Sequence, residues 1–175
     1  MWILWSETMK TVDTKKICVA GMMVAIGVLG SNFYLPIGAA KCLPVQHMVN
    51  VISGILLGTP YSVAIAFVIS TIRIILGTGT LLAYPGSMCG AFLCGLLYTL
   101  TKKRMYGYVG EVIGTSIFGA MLAYPVGVFL LGKPMALFGM VIPFFISTFG
   151  GTFIAGIVLS GVFRHLAFSK KICEK

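Results

Sequence analysis

Apolar runs separated by short breaks make up most of this chain, and two polar inserts between Leu35 and Leu81 interrupt the pattern. The first runs from Pro36 to Asn50 and holds Lys41, Cys42, Pro44, Gln46, His47 and Asn50. The second is Arg73 followed by Leu76-Gly77-Thr78-Gly79-Thr80-Leu81. Polar groups at membrane depth are costly unless they line a cavity or serve a function. These inserts are therefore where a ligand is expected to be held.

Of the 175 residues, 58% are hydrophobic and 10% charged, so the bulk of the chain belongs in lipid. A single integral membrane domain over residues 1–175 is expected. Residues 1–14 form a cytoplasmic N-terminal segment and residues 167–175 a cytoplasmic basic tail. Met1–Thr14 does not read as a cleavable signal. The net charge of +9 is not a nucleic-acid footprint, because the basic residues sit at the ends of apolar runs. The five cysteines, Cys18, Cys42, Cys89, Cys94 and Cys173, form no C-x-x-C pair and no metal-binding spacing.

Six runs can be read as spans: Ile17–Leu35, Met48–Leu57, Tyr61–Leu76, Gly86–Leu100, Val109–Leu131 and Met135–Leu166. The second and third fall short of the roughly 20 residues a span needs, which implies tilt, burial in the bundle or hidden helix ends. Pro143 and Gly150-Gly151 suggest a broken or re-entrant start to the last run. Lys10, Lys15, Lys16, Lys102, Lys103, Arg104, Arg164, Lys170, Lys171 and Lys175 fall on one side, against Lys41 and Lys133 on the other. The expected fold is thus an all-α membrane protein, a six-transmembrane-helix bundle with both termini cytoplasmic and an outward-facing pocket covered by loops. No internal repeat is visible.

Gln46, His47 and Asn50 cluster at the start of the second span, where His47 and Asn50 share a helical face. They suit a small polar heterocycle, or else cap a helix start in water. Arg73 either anchors an anionic or acceptor-bearing ligand, snorkels to the outer interface, or ties to backbone carbonyls in the Gly77–Thr80 loop and shapes the pocket. Thr78 and Thr80 would turn hydroxyls toward the pocket. Tyr84, Tyr124 and Phe144 would stack on an aromatic ligand or belong to an interface belt. Gly77–Thr80 lacks the spacing and lysine of a phosphate loop. Glu111 reads as an acid at the start of the fifth span, stabilised by the helix N-terminus and too shallow for a proton relay. His165, beside Arg164, reads as a solvated residue at the cytoplasmic end. No serine-hydrolase elbow, zinc-protease motif or carboxylate pair is present, so no enzyme is expected. Small residues four apart, Gly21/Ala25, Gly54/Gly58 and Gly86/Gly90, mark close helix packing, with the first pair also readable as a docking face.

The basic-ended, glycine-rich plan, with Lys16-Ile-Cys-Val-Ala20-Gly21-Met-Met-Val-Ala25 in the first run, resembles the substrate-binding S components of energy-coupling factor (ECF) vitamin transporters. Pro36–Val51, Gly54–Gly58 and Leu76–Ser87 look, more specifically, like the ThiW family. That resemblance implies a membrane subunit that captures a thiamin precursor, the thiazole moiety (hydroxyethylthiazole). It implies as partners a transmembrane coupling subunit and two ABC-type ATPases, met through Gly21 and Ala25, with Ala20 as the alternative register. It also implies outer loops that close over the ligand. A stand-alone secondary transporter and a membrane assembly protein without a small ligand are the competing readings.

Overall fold

The structure is a computed structural model. It describes the backbone of residues 14–37, 40–132, 136 and 138–173, and the side chains of these residues other than 35–41 and 164–173. Six helices follow one another: α1 (Thr14–Gly30), α2 (Pro44–Leu56), α3 (Thr59–Ile75), α4 (Ala83–Thr101), α5 (Arg104–Leu130) and α6 (Val141–Cys173). Between α1 and α2 lies a small hairpin, β1 (Leu35–Ile37) against β2 (Ala40–Cys42), paired antiparallel with Leu35 opposite Cys42. The fold is therefore predominantly rather than wholly helical, because part of the first polar insert satisfies its backbone as a strand pair.

Polarity runs opposite to that of a water-soluble bundle. Phe129, Ile75, Leu29 and Phe153 present most of their surface outward, while Gln46, Asn50, Arg73, Glu111 and Thr148 are buried. Each large apolar side chain left in water forgoes about 1.5–3 kcal/mol of burial. A surface of this kind is stable only against lipid. Within the described residues, Ala83–Thr101, Arg104–Leu130 and Val141–Phe163 are long and apolar enough to cross a membrane, and Thr59–Ile75 is apolar but shorter.

The short second run has a clear structural reason. Helix α2 has 13 residues, nine of them buried, and packs against each of the other five helices. Burial supplies the stability that its length cannot. It begins four residues earlier than its apolar run suggests, because Pro44 fits the first turn of a helix, where no backbone N–H is needed. Gly58, at φ +90°, makes the sharp turn into α3, a conformation that side-chain-bearing residues rarely adopt.

Helix α6 is continuous. Pro143 lies in its first turn, where its missing N–H breaks no bond, so the broken start expected near Pro143 is absent. Gly150 and Gly151 are likewise helical and serve close approach: a Cβ on Gly151 would lie 2.3 Å from the Pro44 carbonyl oxygen and 2.7 Å from His47 Cβ. Gly151 is ten positions into α6, roughly 15 Å at 1.5 Å per residue. Helix α2 therefore starts well inside the bundle. Leu43 N–H donates to Ser147 Oγ (2.7 Å) and Cys42 Sγ to the Pro143 carbonyl (3.3 Å), which fasten the hairpin's end to α6.

Helices α4 and α5 meet along glycines. Gly119 packs on Gly86, Gly114 on Cys89 and Gly90, and Gly110 on Leu93 and Cys94. Helix α5 also contains two π-helical stretches, Gly114–Gly119 and Val126–Leu130. The Gly86/Gly90 pair packs inside the bundle, and Gly54 sits against Cys94 and Gly95. Gly21 differs: nothing lies within 4 Å of the position its Cβ would take, and both it and Ala25 are exposed.

Candidate functional site

The buried polar residues form a hydrogen-bond network across α2, α3, α4 and α5. Gln46, His47 and Asn50 lie on successive turns of α2 and are all buried (3%, 7% and 0% exposed), which excludes the reading that Gln46 and His47 cap a helix end in water. At one end of the network, Arg73 Nη1 donates to Gln46 Oε1. Gln46 Nε2 donates to Ser70 Oγ (3.1 Å), and Ser70 and Ser87 share a hydroxyl contact (3.0 Å). Because the Ser87 hydroxyl donates to the Ala83 carbonyl (2.8 Å), Ser70 must be the donor between the two serines.

At the other end, Asn50 Nδ2 donates both to the Ser87 carbonyl (3.2 Å) and to Glu111 Oε1 (3.0 Å). His47 Nδ1 lies 3.0 Å from the same carboxylate oxygen. A carboxylate can only accept, so His47 carries its proton on Nδ1. Ser62 donates to the Asn50 carbonyl (3.0 Å) and accepts from Ser53 (3.0 Å), fixing the backbone under Asn50.

Glu111 corrects the sequence reading. It is 0% exposed and lies two turns into α5, on the order of 10 Å from Arg104, rather than at the helix start. Its side chain is bonded by His47 and Asn50, 64 and 61 residues away in sequence. A trace was nonetheless legible: Gly107, Gly110 and Gly114 surround Glu111 at helical spacing, and a face of glycines meets a neighbouring helix rather than lipid.

Arg73 is also corrected in part. Its side chain turns inward to Gln46, not to the loop after α3. The loop instead binds its backbone: Thr78 N, Gly79 N and Thr78 Oγ1 all donate to the Arg73 carbonyl (2.9, 3.0 and 3.2 Å), with Gly77 at φ +71° making the turn. Thr78 thus serves the helix end, and Thr80 is exposed. Tyr84 is half-buried; its hydroxyl meets Thr71 Oγ1 (2.9 Å) and its ring lies 5.4 Å from that of Phe67. Tyr124 is half-buried on α5, and Phe144 packs over Gly86. The side chains of Lys41 and His165, and residue Lys133, lie outside the described set.

Several buried atoms of this network have no hydrogen-bond partner among the described residues: Asn50 Oδ1, Glu111 Oε2, Arg73 Nε and Thr115 Oγ1. An unpaired buried polar atom costs about 1–3 kcal/mol, and more when charged. Unpaired atoms concentrated in this way mark the cluster as the candidate site.

Lipid-facing apolar helices around a polar, partly unpaired interior define a helical membrane protein with a candidate small-molecule site in its core. The chain belongs to the ThiW family, thiamine-precursor transporter proteins, whose family model matches residues 17–165. The match takes in every helix of the network. Comparisons with curated proteins and with solved structures gave no match.

Proposed function

We propose that this chain is the substrate-capturing subunit of an ECF-type importer and binds the thiazole moiety of thiamin, hydroxyethylthiazole. The observation that carries this reading is the buried network of Gln46, His47, Asn50, Arg73 and Glu111, with unpaired donors and acceptors inside a thiamine-precursor transporter. A small neutral ring with a polar arm suits amide, imidazole and hydroxyl partners. Thr78, Thr80, Tyr84 and Tyr124 line the approach from the loop end. All six helices span the membrane, α2 with the help of the hairpin above it. Lys15, Lys16, Lys102, Lys103 and Arg104 favour a cytoplasmic placement for their end, which puts both termini inside and the Gly77–Leu82 loop and the hairpin outside.

The exposed, unobstructed face at Gly21 and Ala25, with half-buried Ala20 beside it, supports docking of a coupling subunit that brings two ABC-type ATPases. Replacing Gly21 or Ala25 by Leu is expected to abolish uptake by the assembled transporter while leaving ligand affinity unchanged. Survival of transport in both variants would move the docking face elsewhere. Substituting Asn50 or His47 by Ala should weaken thiazole binding by at least about tenfold, roughly 1.4 kcal/mol, as read by calorimetry on the detergent-solubilised chain. Undiminished affinity in both would remove α2 from the site.

The buried Glu111 favours a second reading, a stand-alone secondary transporter driven by protons, since a carboxylate inside the bundle is the kind of group such coupling uses. The two readings separate in proteoliposomes. The subunit reading expects binding but no uptake until the coupling module is added. The secondary transporter expects uptake by the purified chain alone that collapses with the proton gradient.

A further inference from the structure

The unpaired atoms of the network are not mixed at random. Glu111 Oε2 and Asn50 Oδ1 are both acceptors, they belong to groups already joined at 3.0 Å, and both residues are 0% exposed. The unpaired Thr115 hydroxyl, one turn along α5 from Glu111, borders the same place: a Cβ on Gly90 would lie 2.1 Å from Thr115 Oγ1 and 2.9 Å from Glu111 Oε1. The unpaired donor, Arg73 Nε, lies at the opposite end, on the guanidinium bonded to Gln46. Gln46 and Asn50 are four residues apart on α2, so the two ends are separated by about one helical turn, with Cβ atoms 5–6 Å apart.

We propose that this arrangement reads the direction of the ligand's hydrogen bonds. A hydroxyl or N–H of the substrate donates to Glu111 Oε2, while an acceptor on the same molecule faces Arg73. The site selects neutral or cationic molecules with a donor at one end over ethers of the same shape, and rejects an anionic group at the Glu111 end by charge repulsion. Oε1 cannot take the role, because His47 and Asn50 already donate to it. The inference rests on the thiazole reading above and adds to it the contact made by the hydroxyl arm.

The test compares hydroxyethylthiazole, its methyl ether and its phosphate monoester by isothermal titration calorimetry on the full-length chain in detergent. The expected result is that the ether and the phosphate ester each bind at least about tenfold more weakly than the alcohol. In Glu111→Gln the side-chain carbonyl takes the place of Oε1, accepting from His47 and Asn50, and the amide N–H₂ faces the ligand. That donor serves an alcohol and an ether oxygen alike, so the preference is expected to fall to about onefold. Equal binding of alcohol and ether by the unaltered chain overturns the proposal and leaves the thiazole reading standing. So does binding of the phosphate ester as tight as that of the alcohol, or a preference that survives in Glu111→Gln. Binding of none of the three overturns both. The unaltered chain alone decides the matter if the variant does not fold.

Discussion

Replacing Glu111 by Ala is expected to lower the stability of the purified chain by about 2–6 kcal/mol, since two buried donors lose their acceptor at about 1–3 kcal/mol each. The loss exceeds that of one hydrogen bond because His47 Nδ1 and Asn50 Nδ2 both donate to the same carboxylate oxygen. Both donors would be left without that acceptor in a fully enclosed place, and Asn50 would keep only the Ser87 carbonyl. Thermal unfolding in detergent, with and without thiazole, reads both consequences. The melting temperature should fall and ligand should no longer raise it. A variant as stable as the parent would show that the carboxylate is not bound by His47 and Asn50 in the folded chain.

The second large effect is expected at Gly90. A Val there would drive its Cβ to 2.1 Å from Thr115 Oγ1 and 2.9 Å from Glu111 Cδ, with further methyl groups beyond. Helices α4 and α5 approach so closely along Gly86–Gly119 and Gly90–Gly114 that neither can yield locally. Overpacking of this kind costs about 1–3 kcal/mol in ordinary cores. Here it should reach at least the top of that range, because it also displaces Glu111. The readout is loss of the monodisperse peak in size-exclusion chromatography or a large drop in melting temperature. Gly21→Leu is the matched control, since its side chain enters open space. Equal behaviour of the two variants would contradict the packing of α4 on α5.

These variants also mark how far the sequence could be read. Apolar runs located each helix among the described residues, because a helix that faces lipid or the interior of the bundle carries apolar side chains along its length. The ends were harder to place. Helix α5 starts at Arg104 instead of Val109, since Gly107 and half-buried Tyr108 are not strongly apolar yet pack against α4 and the core. Gln46, His47 and Asn50 were visible because their polarity stands out in an apolar stretch and helical periodicity groups them. Glu111 was misplaced because hydropathy ranks it by distance from Lys102–Arg104, whereas its partners come from a helix more than 60 residues earlier. The π-helical stretch after it was not legible, because no local composition marks it. The inward turn of Arg73 was hidden for a similar reason, since its acceptor lies 27 residues away.

The brevity of α2 bears on how the protein is made. A segment of 13 residues carrying Gln46, His47 and Asn50 is too short and too polar to partition into a bilayer unaided. Its natural companion is α3, joined by the tight Gly58 turn and by the relay in which Ser53 donates to Ser62 and Ser62 to the Asn50 carbonyl. These bonds lie within the hairpin and need no other helix. The pair is therefore expected to leave the translocon as one unit, with Ser53 and Ser62 satisfied before any neighbour arrives. The outer segments would then close around a hairpin already in place, so assembly proceeds from the middle of the protein outward.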